Sequence, residues 1–159
     1  MAKTAVSRLV DVDPNSVLLD TDRGLLKMRP RPGRTLDPVK IFEAIRSSRF
    51  HSRLDYVEVT VAGPRVKEEN GKWLLTLPGS DERFLLEPSP QGNHARAPDT
   101  PSPFEALCAA VRGGERIRTV TGRLRGLSLA PRGRGAPAPP PLRLERPLTL
   151  LVTAFEREE

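Results

Sequence analysis

Proline placement constrains this chain more than any other feature of its sequence. Of its 17 prolines, five fall within residues 88–103 and six within residues 131–147. A proline ring fixes φ and removes a backbone donor, so neither stretch fits inside a helix or a central strand. Pro88-Ser89-Pro90-Gln91-Gly92-Asn93-His94, continuing to Pro98, Pro101 and Pro103, reads as an extended excursion. So does Pro131-Arg132-Gly133-Arg134-Gly135-Ala136-Pro137-Ala138-Pro139-Pro140-Pro141. The regular elements must therefore be short and must lie between these excursions.

The pattern of apolar residues places them. Ser16 to Asp20 and Leu25 to Met28 flank the turn-rich tetrad Thr21-Asp22-Arg23-Gly24 and read as a hairpin. Asp37-Pro38 opens a helix, with Asp37 as N-cap and Val39, Ile41, Phe42, Ala44 and Ile45 on one face. Arg46 and Arg49 fall near its C-terminus, where positive charge complements the helix dipole. Leu54 to Val61 reads as a strand. Val66 leads through a turn containing Asn70-Gly71 into Lys72 to Leu77, and Pro78 to Asp81 turns the chain back into Glu82 to Leu86. On these strands Trp73, Leu75 and Leu77 share one face, opposite Lys72, Leu74 and Thr76. Phe84 and Leu86 likewise oppose Arg83 and Leu85, so Trp73 and Phe84 are expected in the core. Pro103 to Arg112 reads as a short helix ended by Gly113-Gly114, Arg116 to Leu124 as a strand, and Leu148 to Phe155 as the last strand. Glu156 to Glu159 are expected to fray.

Two resemblances organise these elements. The hairpin Val17 to Met28, the helix Asp37 to Ile45 and the strand after Phe50 are similar to the last three quarters of a heavy-metal-associated domain, a small ferredoxin-like unit. In that family a Met-x-Cys-x-x-Cys loop binds soft metals. Residues 1–12 hold no Cys, and Arg49 stands where the family often has glycine before the aromatic, so the resemblance is to a degenerate member lacking the Cys pair. Residues from about Val57 to Phe155 resemble an OB-fold in element order: three strands, a short helix, then two strands. That family is a five-stranded, partly open Greek-key barrel whose loops often bind oligonucleotides or oligosaccharides. The expected fold class is therefore α+β: a truncated ferredoxin-like module over residues 1–62, joined to a five-stranded OB-like β-barrel over 63–159 with loops at 88–103 and 131–147. The strand from Leu54 to Val61 either ends the first module or runs on into the second. The barrel reading further places residues 116–124 beside a strand from 66–86.

Charge narrows the functional classes. The net charge is +6, and 21 of the 26 basic residues are arginine, a bias that a GC-rich genome produces as readily as a binding function does. From Arg116 to Arg146 there are eight arginines and one acid, Glu145. No segment approaches the roughly 18 apolar residues of a membrane span. The single Cys108 makes no internal disulfide and fits a reducing, cytoplasmic setting.

Catalytic groupings are not visible. There is no phosphate-cradling glycine loop, and two isolated histidines, His51 and His94, have no ligand at metal-site spacing. Cys108, between Leu107 and Ala109, reads as an inert small hydrophobe. Asp11, Asp13, Asp20 and Asp22 stand near hairpin ends, where carboxylates cap turns. No enzyme activity, metal or cofactor is expected. What remains is an accessory protein that binds a macromolecule, most simply a protein, through Arg116, Arg118, Arg123, Arg125, Arg132 and Arg134. Proline-rigid segments lose little entropy on docking, and arginine forks pair with carboxylates and phosphates. The alternatives are metal handling by family descent and nonspecific nucleic-acid binding through the barrel loops. The second lacks a stacking platform, because the sequence points its strand aromatics inward, and Glu68 and Glu69 would repel a phosphate backbone.

Overall fold

A computed structural model describes residues 2–20, 22, 25–47, 55–90, 100–127 and 146–159. These residues form two units: one takes those up to Asp55 together with Leu127, and the other takes those of 56–126 and 146–159. Each is built around its own apolar residues.

The first unit begins with helix α1 (Ala2–Ser7) and a single 3-10 turn, Pro14–Ser16, capped by Asp13, whose side chain accepts from the Asn15 amide. Strands β1 (Leu18–Asp20) and β2 (Leu25–Lys27) pair antiparallel, Leu19 opposite Leu26. Helix α2 (Pro38–Ser47) follows, and Asp37 accepts a 3.0 Å hydrogen bond from the Val39 amide, the N-cap its position predicts. Val6, Val12, Val17 and Ile45 form a small buried cluster, with Leu9, Leu26, Met28, Leu36 and Ile41 packed against it. Arg46, expected on the helix end, is itself buried and pairs with Glu43 at 3.3 Å. Arg49, Phe50 and His51 lie outside the described residues.

The second unit is a six-stranded sheet with helix α3 (Pro103–Arg112) against it. Its strands are β3 (Glu58–Ala62), β4 (Arg65–Glu69), β5 (Lys72–Thr76), β6 (Arg83–Pro88), β7 (Ile117–Leu124) and β8 (Leu148–Arg157). Their order across the sheet is β3-β7-β8-β6-β5-β4. All neighbours run antiparallel except β6 and β8, which are parallel. The hairpin β4–β5 turns at Asn70 and Gly71, whose φ values of 52 and 76° are those of the two-residue turn that Asn-Gly favours. The two outermost strands, β3 and β4, are consecutive in the chain, with only Gly63-Pro64 between them. Gly63 has φ +64° there, and its amide donates to the Arg118 carbonyl.

The core lies on the face defined by alternation. Val61, Trp73, Leu75, Phe84, Leu86, Val120, Leu124, Leu148, Leu150 and Val152 are buried, joined by Leu107, Cys108 and Ala110 of α3. Trp73 and Phe84 are core residues, as the alternation predicts. Burying each large aliphatic or aromatic side chain contributes about 1.5–3 kcal/mol. Ser102 caps α3 through a reciprocal pair: its hydroxyl accepts from the Glu105 amide at 3.1 Å, and Glu105 accepts from the Ser102 amide at 3.2 Å.

Five expectations change. The sheet has six strands rather than five and is not a closed barrel. The strand read over Leu54 to Val61 starts at Glu58 and belongs wholly to this sheet, pairing with β7, so the described sheet of the first unit has two strands. Strand β7 pairs with β3 and β8 rather than with a strand from 66–86, because the parallel β8 inserts between it and β6. The residues expected to fray instead extend β8 to Arg157, and the Glu158 amide donates to the Arg116 carbonyl. Pro88 also departs from the loop reading: it is the last residue of β6, beside Val152.

Candidate functional site

The arginines singled out from the sequence do not gather in one place. Arg116 and Arg118 stand at the start of β7, where backbone bonds to Glu158 and Gly63 pin their carbonyls. A bulge between Ile117 and Thr119 sets Arg118 out of the strand alternation, which exposes its side chain although Val120, two residues on, is fully buried. Arg123 and Arg125 lie at the far end of the same strand, about 17 Å away at roughly 3.4 Å per residue. Arg123 stacks on Tyr56, its guanidinium carbon 3.8 Å from the ring centroid. Arg125 forms an ion pair with Glu87 of β6. Arg132 and Arg134 lie outside the described residues, as do His51 and His94.

A second set of cations is gathered by strand register. On β4 the outer positions are Arg65, Lys67 and Glu69; on β5 they are Lys72, Leu74 and Thr76; on β6 they are Arg83, Leu85 and Glu87, in each case opposite the buried or inward residues of the strand. Pairing aligns Arg65 with Thr76 and Thr76 with Arg83. The next row aligns Lys67, Leu74 and Leu85, and Glu69 stands opposite Lys72. Four cations thus surround a half-buried leucine pair. Sequence reading names both faces of β5 and β6 but not those of β4, and it gives the polar face no role, since the four side chains are scattered over 19 positions from 65 to 83 and form no run.

The acids near this face are engaged. Glu69 accepts from Lys67 at 3.4 Å and from Arg83 at 3.3 Å. Glu68, on the opposite side of β4, pairs with Arg112 at 3.0 Å, and that guanidinium also lies 5.2 Å from the Trp73 ring centroid. The two glutamates expected to repel an anion are therefore each held by a cation. These pairs are exposed, so each is worth at most about 1 kcal/mol.

Other reactive groups are placed by packing. Burial pushes the Cys108 thiol up from 9.0 to about 11, against the lowering influence of the Arg112 charge. The thiolate is the reactive form, so this residue stays a neutral thiol at ordinary pH. Asp13 caps a turn, Asp20 accepts from the Asp22 amide at 3.1 Å, and Asp11 pairs with Arg34 at 3.6 Å. Among the described residues, no three of His, Cys, Asp and Glu come together in a metal-holding arrangement. None of the described helices is long and apolar enough to cross a membrane.

Comparison with protein-family models, with characterised proteins and with solved structures gives no match to this chain.

Proposed function

We propose that this chain is a non-enzymatic binding protein that attaches to a macromolecular partner, a protein, through a basic surface of its second unit and its Arg/Pro-rich segment at 131–147. The observation that carries this reading is the register of β4, β5 and β6, which brings Arg65, Lys67, Lys72 and Arg83 to one face around Leu74 and Leu85. Cations gathered on an outer face attract an acidic partner and set its orientation. Arg116 and Arg118 add exposed positive charge at the start of β7.

The fold reading that accompanies it is an OB-like barrel. Strands β3 and β4 are then two halves of one strand bent at Gly63-Pro64, which pairs with β7 through its first half and with β5 through its second. The parallel partnership of β6 with β8 and the position of α3 between β6 and β7 support this reading. The first unit, hairpin followed by helix, is read as a truncated ferredoxin-like module that keeps the outline of a heavy-metal-associated domain without its cysteines. A buried, unpaired Cys108 suits a reducing compartment such as the cytoplasm.

Nucleic-acid binding is the second reading, favoured by the same cations. Its weakness is the absence of a ring on the β4–β5–β6 face, where leucines occupy the centre. The deciding experiment uses the full chain as bait and a labelled oligonucleotide as competitor. Stoichiometric capture of one protein, lost on deleting residues 131–141 or on replacing Arg116 and Arg118 by glutamate while circular dichroism is unchanged, supports the proposal. Oligonucleotide binding whose affinity falls linearly in log salt, with no protein captured, replaces it by the second reading.

A further inference from the structure

We infer that the outer face of β4, β5 and β6 receives an extended acidic segment of the partner, with one apolar side chain seated on Leu74 and Leu85 and a carboxylate two residues away on each side. This rests on the reading that the chain binds a protein, and it specifies the surface and the chemistry of what is bound. Leu74 and Leu85 face each other across β5 and β6. Along β5, the row before them in space holds Arg65, Thr76 and Arg83, and the row after them holds Lys72 opposite Glu69, whose charge is met by Lys67 and Arg83. Successive same-face residues of a strand are about 6.8 Å apart. An extended peptide running along β5 repeats its own same-side chains at that interval. When one apolar residue covers the leucine pair, its neighbours at two residues either side stand over Arg65 and Arg83 in one direction and over Lys72 in the other.

Glu69 displays the recognition chemistry within the chain itself. Lys67 of its own strand and Arg83 from β6 converge on its carboxylate at 3.4 and 3.3 Å. A partner carboxylate can take that place, and Glu69 then acts as a resident competitor. The other acid on this face, Glu87, is occupied by Arg125. The remaining outer positions are cationic, hydroxyl or leucine, which suits a peptide carrying both acids and an apolar anchor. A nucleic-acid strand would place its bases over two leucines with no ring to stack on.

The test is fluorescence anisotropy with the full chain and three labelled probes. One is a peptide in which a leucine has a glutamate two residues away on each side, the second has the same composition with the glutamates adjacent to the leucine, and the third is an oligothymidylate. The spaced peptide is expected to bind, with affinity falling as salt rises. Arg83→Ala with Lys67→Ala weakens it about tenfold or more, through the loss of charge-assisted hydrogen bonds. Leu74→Ser weakens it with the salt dependence retained, and Glu69→Gln strengthens it several-fold. Equal binding of the spaced and adjacent peptides, or weaker binding by Glu69→Gln, overturns the inference. So does preferential binding of the oligothymidylate. Capture of a protein partner that depends on residues 131–141 but is unaffected by Leu74→Ser and Arg83→Ala also overturns it, while leaving the proposed function standing.

Discussion

Gly122 tests the packing of the second unit more sharply than any other single position. It lies in β7, opposite Val59 of β3 on one side and Val152 of β8 on the other, beside the register shift at which Thr153 of β8 is the extra residue. A Cβ built there meets the Leu151 carbonyl oxygen at 2.6 Å, Leu150 Cγ at 2.8 Å and Leu150 Cδ1 at 3.0 Å. The oxygen belongs to the backbone of a central strand, and Leu150 is fully buried, so neither can swing away as the end of an exposed side chain would. Forcing an extra carbon into such a core costs about 1–3 kcal/mol. Relief of the backbone entropy of glycine returns about 0.5–1 kcal/mol. Contacts this short to a backbone oxygen and a buried leucine put the cost in the upper half of that range, so the net loss for Gly122→Ala is about 1–2.5 kcal/mol, and at roughly 4–8 °C per kcal/mol for a unit of this size the melting temperature falls by about 4–20 °C. Trp73, the one tryptophan of the chain, is buried in the same unit, so its fluorescence reports the transition. Gly113→Ala is the control: its φ is −76°, and the added Cβ meets only carbonyl oxygens at 3.4 and 3.5 Å. It should melt at or slightly above the parent temperature. If Gly122→Ala melts as high as the parent under conditions where Gly113→Ala behaves as stated, the reasoning about β7 packing against β8 is refuted.

Three further outcomes follow from local geometry. Ser102→Ala removes the hydroxyl half of the α3 capping box and should cost about 1 kcal/mol in urea unfolding, with an unchanged m-value. Gly71→Ala forces a side chain into φ +76° and should lower the urea midpoint by an amount equivalent to about 1 kcal/mol, whereas Asn70→Gly, which suits the same turn, should be close to neutral. Because the folded Cys108 thiol is raised to about 11 from 9.0, the unfolded chain loses its proton first; stability is full below pH 9 and declines as pH rises toward 11. Cys108→Ala should flatten that decline, and a thiol reagent at pH 8 should label the parent slowly until denaturant is added. Fast labelling of the folded chain would contradict the burial.

Local chemistry was legible before the fold was. The Asp37 cap, the Asn70-Gly71 turn, the limits of α3 and the inward placement of Trp73 and Phe84 all follow from short-range rules, because each depends on neighbours within a few residues. Pairing was not legible. Nothing in Glu58 to Ala62 says that its partner is Ile117 to Leu124, and nothing in Arg83 to Pro88 announces a parallel neighbour more than 60 residues later. The strand over Leu54 to Val61 therefore stands between two possibilities on sequence grounds, and the pattern of β8 ends where its charged residues begin. The candidate site was obscured for the same reason. A run of arginines near residue 120 is conspicuous in one dimension, yet the strand carries its members to opposite ends. Arg65, Lys67, Lys72 and Arg83 become neighbours only once the registers of β4, β5 and β6 are known.

The place of β8 has a consequence for how the second unit comes into being. Among the described strands it alone pairs with both β7 and β6 across the sheet order. Until residues 148–157 are synthesised, the nascent chain can hold two partial sheets, each with an open edge, but not the sheet itself. Contacts between such distant segments also make closure slow, since loop entropy is lost before the pairing compensates it. The edges of β6 and β7 are thus the surfaces a chaperone would meet during synthesis, and a chain cut before Leu148 would keep both exposed for its whole lifetime.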